Sequence, residues 1–129
     1  MHELFWIILS GFIGGVLLET IYRSYWSSKL IKPKLINIQM YVFTSIFLYY
    51  LYILELDLSY VVISILVFAT GVEYITGTIY FKHTGNMPWD YSKERFNYRG
   101  IICLKFSIYW LIISLGYIYI IIPAILRFA

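Results

Sequence analysis

The chain has 129 residues, 61% hydrophobic, 21% aromatic and 13% charged, with a mean hydropathy of +0.78. Soluble domains carry roughly 25% charged residues, so a water-soluble globule is excluded: it would expose large apolar patches and aggregate. The net charge of +3 does not indicate nucleic acid as a partner, because the basic residues flank apolar runs, where they set topology and meet anionic headgroups.

At about 20 apolar residues per membrane span, four spans nearly fill the length. The expected fold is therefore all-α: a four-transmembrane-helix bundle forming a single membrane domain over residues 1–129, with helices at about 4–25, 38–55, 58–81 and 100–126. The first run has Glu3 in place of a basic leading region and no clear small-residue cleavage site. It reads as a retained span, not a signal peptide. Ser10, Gly11, Gly14 and Gly15 form small-xxx-small pairs, which let helices approach closely in lipid. They fit either simple packing or a ligand groove. Gly15, Glu19 and Arg23 continue at the same spacing, and Glu four residues before Arg is the favourable order for an ion pair.

Lys29, Lys32, Pro33 and Lys34 mark a short connection, since proline cannot continue a helix interior. The second run is uncharged up to Glu55, and Tyr49, Tyr50 and Tyr52 lie near its end, where tyrosine suits the membrane interface. Glu55 and Asp57 make an acidic turn. The third run carries one charge, Glu73, four residues after Ala69 and four before Gly77. It repeats the small-xxx-Glu spacing of Gly15 and Glu19, in a helix running the same way, so the two carboxylates are expected at similar depth. Residues 82–99 form a long loop. The fourth run is interrupted by Lys105, with Asn97 as a candidate N-cap and Pro123 near its far end.

Charge sets the expected orientation. Arg23, Lys29, Lys32, Lys34, Lys82, Lys93, Arg95, Arg99 and Lys105 belong to one side, while the other has Glu3, Glu55, Asp57 and Arg127. The positive-inside rule places the long loop between the third and fourth helices in the cytoplasm and both termini outside.

Two groups of residues can carry chemistry. The first is an intramembrane polar site of Glu19, Arg23, Glu73 and Lys105. A carboxylate near mid-membrane costs about 2.5–3.5 kcal/mol and must be paired, protonated or facing water. Arg23 is the natural partner of Glu19, and Arg23, Lys105 or Arg99 is the expected partner of Glu73. Such a set serves as an ion-pair staple, or as a proton-, cation- or substrate-binding site. The second group is the loop: Trp89, Asp90, Tyr91, Ser92, Phe96, Asn97, Arg99 and Gly100. Trp89, Tyr91, Phe96 and Tyr98 are expected flat at the interface, with Asp90 and Ser92 as local caps. The loop reads as a self-stapled interfacial segment or as a partner surface. Gly11, Gly14, Gly15 and Gly77 are the expected helix-packing positions.

No catalytic residue, cofactor or metal is expected. The chain has no phosphate loop, nucleophile elbow, H-E-x-x-H or C-x-x-C motif. His2 and His83 lack neighbours at metal-ligand spacing. Cys103 is the only cysteine, which rules out an intrachain disulfide and fits a small buried side chain.

The motifs EYITG, WDYS, FN and G-x-I-C-L-x-F-S-x-x-W resemble a bacterial family of small multi-pass membrane proteins, the putative ABC-transporter type IV (CmpB-like) family. They occupy Glu73, Tyr74, Thr76, Gly77, Trp89 to Ser92, Phe96, Asn97, Gly100, Ile102 to Leu104, Phe106, Ser107 and Trp110. Glu19, Ile21, Tyr22, Arg23 and Ser24 match the family's E-x-[IV]-Y-R-S pattern. The resemblance covers about three of the four spans. The chain departs from it at KPKLINIQMYVFT, where relatives resemble a Gly- and Pro-rich YGPxxPIYGFG. The resemblance implies a permease-like subunit in the bacterial cell membrane, working with a separate ATPase and within a homo-oligomer or hetero-complex that uses the glycine face of the first helix. The other reading is a non-transporting membrane scaffold or assembly protein.

Overall fold

The computed structural model describes the backbone of residues 2–27 and 35–128 and the side chains of residues 2–21 and 37–128. Arg23 as a side chain, and Lys29, Lys32, Pro33 and Lys34 altogether, lie outside the described residues. The elements are α1 (His2–Ser27), α2 (Leu35–Leu54), α3 (Leu58–Thr84), β1 (Asn97–Tyr98), β2 (Ile102–Cys103), α4 (Leu104–Gly116), a π-helical turn (Tyr117–Ile121) and α5 (Ile122–Phe128). α4, the π-turn and α5 form one continuous rod, so four helices are long and apolar enough to cross a membrane. Large apolar side chains point outward along every rod, among them Phe12, Leu17, Phe43, Ile63, Val67, Ile112 and Ile120. Such an apolar surface is compatible with a hydrocarbon surrounding.

Several boundaries differ from expectation for identifiable reasons. α3 runs on to Thr84, where Gly85 takes φ 73° and its N–H bonds to Phe81 O at 2.8 Å, a glycine C-terminal stop. Lys82 and His83 thereby join the last helical turn, where positive charge suits the helix dipole. The fourth rod starts at Leu104, four residues later than expected, because residues 97–103 form a small hairpin. Asn97 is therefore not the helix cap; the N-cap position belongs to Cys103. Near the far end, Pro123 has no N–H to return to the preceding turn, and the wide π-turn at Tyr117–Ile121 sits immediately ahead of it, absorbing the mismatch.

The rods pair as two hairpins, α1 with α2 and α3 with α4. At the end holding both termini they close on a core of Ile7, Leu48, Leu51, Val61, Ile65, Ile118 and Ile122. Ser10 and the Tyr117 hydroxyl bond at 2.6 Å, locking α1 to the π-turn. Toward the long loop, α1 makes little contact with α4, and cavities open between the hairpins.

The expected glycine positions divide. Gly11 and Gly15 pack on α2, where a Cβ would overlap Ser45 and Tyr41. Two of the three α1 glycines are thus used within the chain. Gly14 has nothing within 4 Å of a Cβ. Gly77 admits the loop: a Cβ there would lie 2.7 Å from Ile101 and 3.3 Å from Trp89.

Candidate functional site: an aromatic chamber with a buried carboxylate

The loop after α3 folds back into the bundle. Tyr98–Ile101 is a tight turn in which Ile101 N–H bonds to Tyr98 O at 3.0 Å, with both central residues at positive φ, Arg99 at 56° and Gly100 at 69°. That pairing suits the twist of a hairpin and strongly favours glycine at the second position. Asn97 organises the turn from its side chain. Its amide donates to Glu94 O at 2.8 Å and to Ser92 O at 3.3 Å, and its carbonyl accepts Gly100 N–H at 3.0 Å. Asp90 accepts the Ser92 N–H at 2.9 Å, as expected of a local cap. That bond, followed by the Ser92 side chain, holds the exposed Asp90 carboxyl below its usual range. Tyr91 N–H bonds to Gly100 O at 2.9 Å, so residues 90–92 lie against the turn.

This frame drives two aromatic side chains inward. Trp89 donates its indole N–H to Ile101 O at 2.7 Å, over the gap left by Gly77. Tyr91 is buried, stacks on Phe106 at 4.6 Å, and donates its hydroxyl to Glu73 Oε2 at 2.8 Å. Tyr91 is buried and Trp89 partly buried. Phe96 and Tyr98 remain outside, 68% and 52% exposed, with the guanidiniums of Arg95 and Arg99 over their rings at 5.1 and 5.3 Å.

Glu73 is 95% buried, since only 5% of its surface is exposed. Its second oxygen, Oε1, has no hydrogen-bond partner. Trp110 directs its indole N–H toward the same carboxylate without meeting hydrogen-bond geometry. Of the expected cationic partners, Arg23 lies outside the described side chains, and Lys105 and Arg99 are engaged elsewhere. Lys105 sits 3.7 Å from Glu94 in a half-exposed pair, and Arg99 lies over Tyr98. The interior partner of Glu73 is a tyrosine from the loop, which charge-pairing logic does not find. Tyr91 was legible only as one aromatic among several.

Glu19 is also buried and accepts the Asn37 amide at 2.7 Å. Asn37 Oδ1 is itself unpartnered and buried. Glu19, Asn37 and Glu73 line one cavity of about 300 Å³, together with six aromatic residues. The two carboxylates thus face one cavity. A second cavity of about 120 Å³ continues toward the core past Ser10, Gly14, Thr44 and Ser114, and Glu73 lines both. The larger cavity reaches the surface between α1 and α4, because Ile21, Tyr109 and Ile113 line it while 63%, 45% and 42% exposed. Among the described residues no group of His, Cys, Asp and Glu could hold a metal ion.

The fold and site define an all-helical protein with four helices long and apolar enough to cross a membrane, and with an acidic, aromatic chamber sealed on one side by a folded loop. The chain belongs to the family described as putative ABC-transporter type IV, whose model matches residues 4–129. The match extends beyond the spans that carry the motifs. No match was found among curated proteins, nor among solved structures.

Proposed function

We propose that the protein is the membrane-embedded, permease-like subunit of an ABC-type transport system in the bacterial cell membrane, with ATP hydrolysis supplied by a separate subunit. The observation that carries this reading is the Tyr91–Glu73 hydrogen bond. It ties a surface loop to a buried carboxylate in the chamber, so a partner moving the loop moves a wall of the chamber. Family membership supports the transport context. The exposed pairs Arg95–Phe96 and Tyr98–Arg99 form the coupling surface, on the cytoplasmic side, with both termini outside. The chamber is the substrate-handling site.

The test is capture of tagged protein from native membranes in mild detergent, followed by mass spectrometry. A stoichiometric nucleotide-binding subunit, lost on Phe96→Ala/Tyr98→Ala, is the expected result. Recovery of the chain alone, or only with membrane proteins lacking a nucleotide site, overturns it and favours the scaffold reading, in which the same exposed aromatic–arginine patch docks an assembly partner.

A further inference from the structure

We propose that the chamber between the two helical hairpins binds an organic ammonium group, held by Glu73 and Asn37 within a cage of aromatic rings. The proposal deepens the reading of the chamber as the substrate-handling site, but it stands on the chamber's own donor set.

Unused hydrogen-bonding capacity in the chamber is weighted toward acceptors. Among the described residues, Glu73 Oε1 and Asn37 Oδ1 are both buried, line the cavity and lack a partner, against one unpartnered donor there, Trp110 Nε1. Buried polar atoms are nearly always satisfied, and an exception calls for an explanation such as a missing ligand. Two acceptors call for a ligand with N–H donors or positive charge. Glu73 also brings a carboxylate that no cationic side chain among the described residues pairs with.

The walls fit the same class. Tyr41, Trp89, Tyr91, Phe106, Tyr109 and Trp110 all line the cavity and form a connected ring array. Tyr41 meets Trp110 edge-on at 5.4 Å, Trp89 approaches Tyr91 at 6.2 Å, Tyr91 stacks on Phe106, and Phe106 meets Tyr109 at 5.4 Å. Aromatic faces attract cations, and aromatic cages are a recurrent way to hold quaternary ammonium groups. Lys105 already places its Nζ about 6 Å from Phe106 and Tyr109, so these rings host a cation at the chamber's edge. An alkali or divalent metal fits poorly, since hard cations need about six oxygen ligands and this lining is mostly carbon. An anion would meet Glu73. The volume of about 300 Å³ lies at the lower end for small-molecule sites and opens between α1 and α4, where an alkylammonium head can enter from solution or from a lipid.

The experiment measures tryptophan fluorescence of the full chain in neutral detergent, since Trp89 and Trp110 both line the chamber. Choline and ethanolamine are titrated against sodium chloride at matched ionic strength. The neutral carbon isostere of choline and inorganic phosphate serve as comparison ligands. Saturable change with an ammonium and none with the isostere or phosphate is expected, with affinity falling at least about tenfold in Glu73→Gln. No saturable change, equal binding of the isostere, or wild-type affinity in a folded Glu73→Gln overturns the proposal. If Glu73→Gln does not fold, the choline–isostere comparison on the wild type decides alone. Repeating the titration in phosphatidylglycerol nanodiscs with and without phosphatidylethanolamine separates the sources. Competition by phosphatidylethanolamine identifies a lipid head, and its absence a free amine. Failure of ligand binding leaves a captured ATPase subunit intact as evidence for transport, and failure of capture leaves the binding result intact.

Discussion

Tyr91 is the residue through which the loop reaches the interior. A hydrogen bond to a charged group contributes about 1.5–3 kcal/mol, and among the described residues the Tyr91 hydroxyl provides the hydrogen bond that Glu73 accepts. Tyr91→Phe keeps the ring that stacks on Phe106 and removes that bond. It should lower stability by about 1–3 kcal/mol, measured by thermal unfolding in detergent, whereas Tyr98→Phe on the exposed face should leave the midpoint nearly unchanged. Cys103 makes a second residue-scale prediction. It is buried beneath the loop, and burial, ahead of the other influences, raises its thiol above the ordinary value. The fold favours the neutral thiol, so this contribution holds below the pH at which a free thiol ionises and fades as pH rises through the raised value. Maleimide alkylation at pH 7.5 should be slow in the folded protein and fast once denaturant is added. Fast alkylation of folded protein would show that the loop opens readily. That Cys103 would be a small buried side chain was legible from its place at the head of an apolar run. The Tyr91–Glu73 bond was not, because no spacing rule connects residues 18 positions apart across a helix end.

At the scale of elements, the hairpin loop is the part most dependent on a few atoms. Asn97 makes three hydrogen bonds to backbone groups of the loop, and Gly100 holds a left-handed conformation that costs other residues about 1–2 kcal/mol. A Cβ at Gly100 would also lie 3.3 Å from Asp90 Oδ1. Both Asn97→Ala and Gly100→Ala should loosen the loop by about 1–3 kcal/mol each. Limited proteolysis between Lys93 and Arg99 reads this directly, and unchanged cleavage would mean that the loop is held by its aromatic insertions instead. The four apolar rods were legible because hydrophobic length alone specifies them. The hairpin was hidden, since Asn97 before an apolar run has the signature of a helix cap, and only long-range seating of Trp89 on Gly77 makes the chain turn back first. The π-turn escaped for a similar reason: Pro123 announces a disturbance, but not whether the helix kinks, stops or widens.

For the whole molecule, packing and charge define two unlike ends. The end with the termini is close-packed around Ile7, Ile65 and Ile122; the loop end holds the chamber and most of the cations. Lys82, Lys93, Arg95, Arg99 and Lys105 belong to that end, and among the described residues Arg127 alone lies at the other. Moving such residues across a bilayer costs about 2.5–3.5 kcal/mol apiece at the helix centre, and their bias sets orientation during insertion. The proposed orientation is therefore testable by single cysteines in a Cys103→Ser background. Leu56→Cys in the exposed α2–α3 turn should react with a membrane-impermeant maleimide on intact cells. Lys93→Cys in the exposed part of the long loop should react only after permeabilisation. The reverse pattern would put the aromatic–arginine surface outside, beyond reach of any nucleotide-hydrolysing subunit. It would end the coupling role of that loop while leaving the chamber and its ligand chemistry untouched.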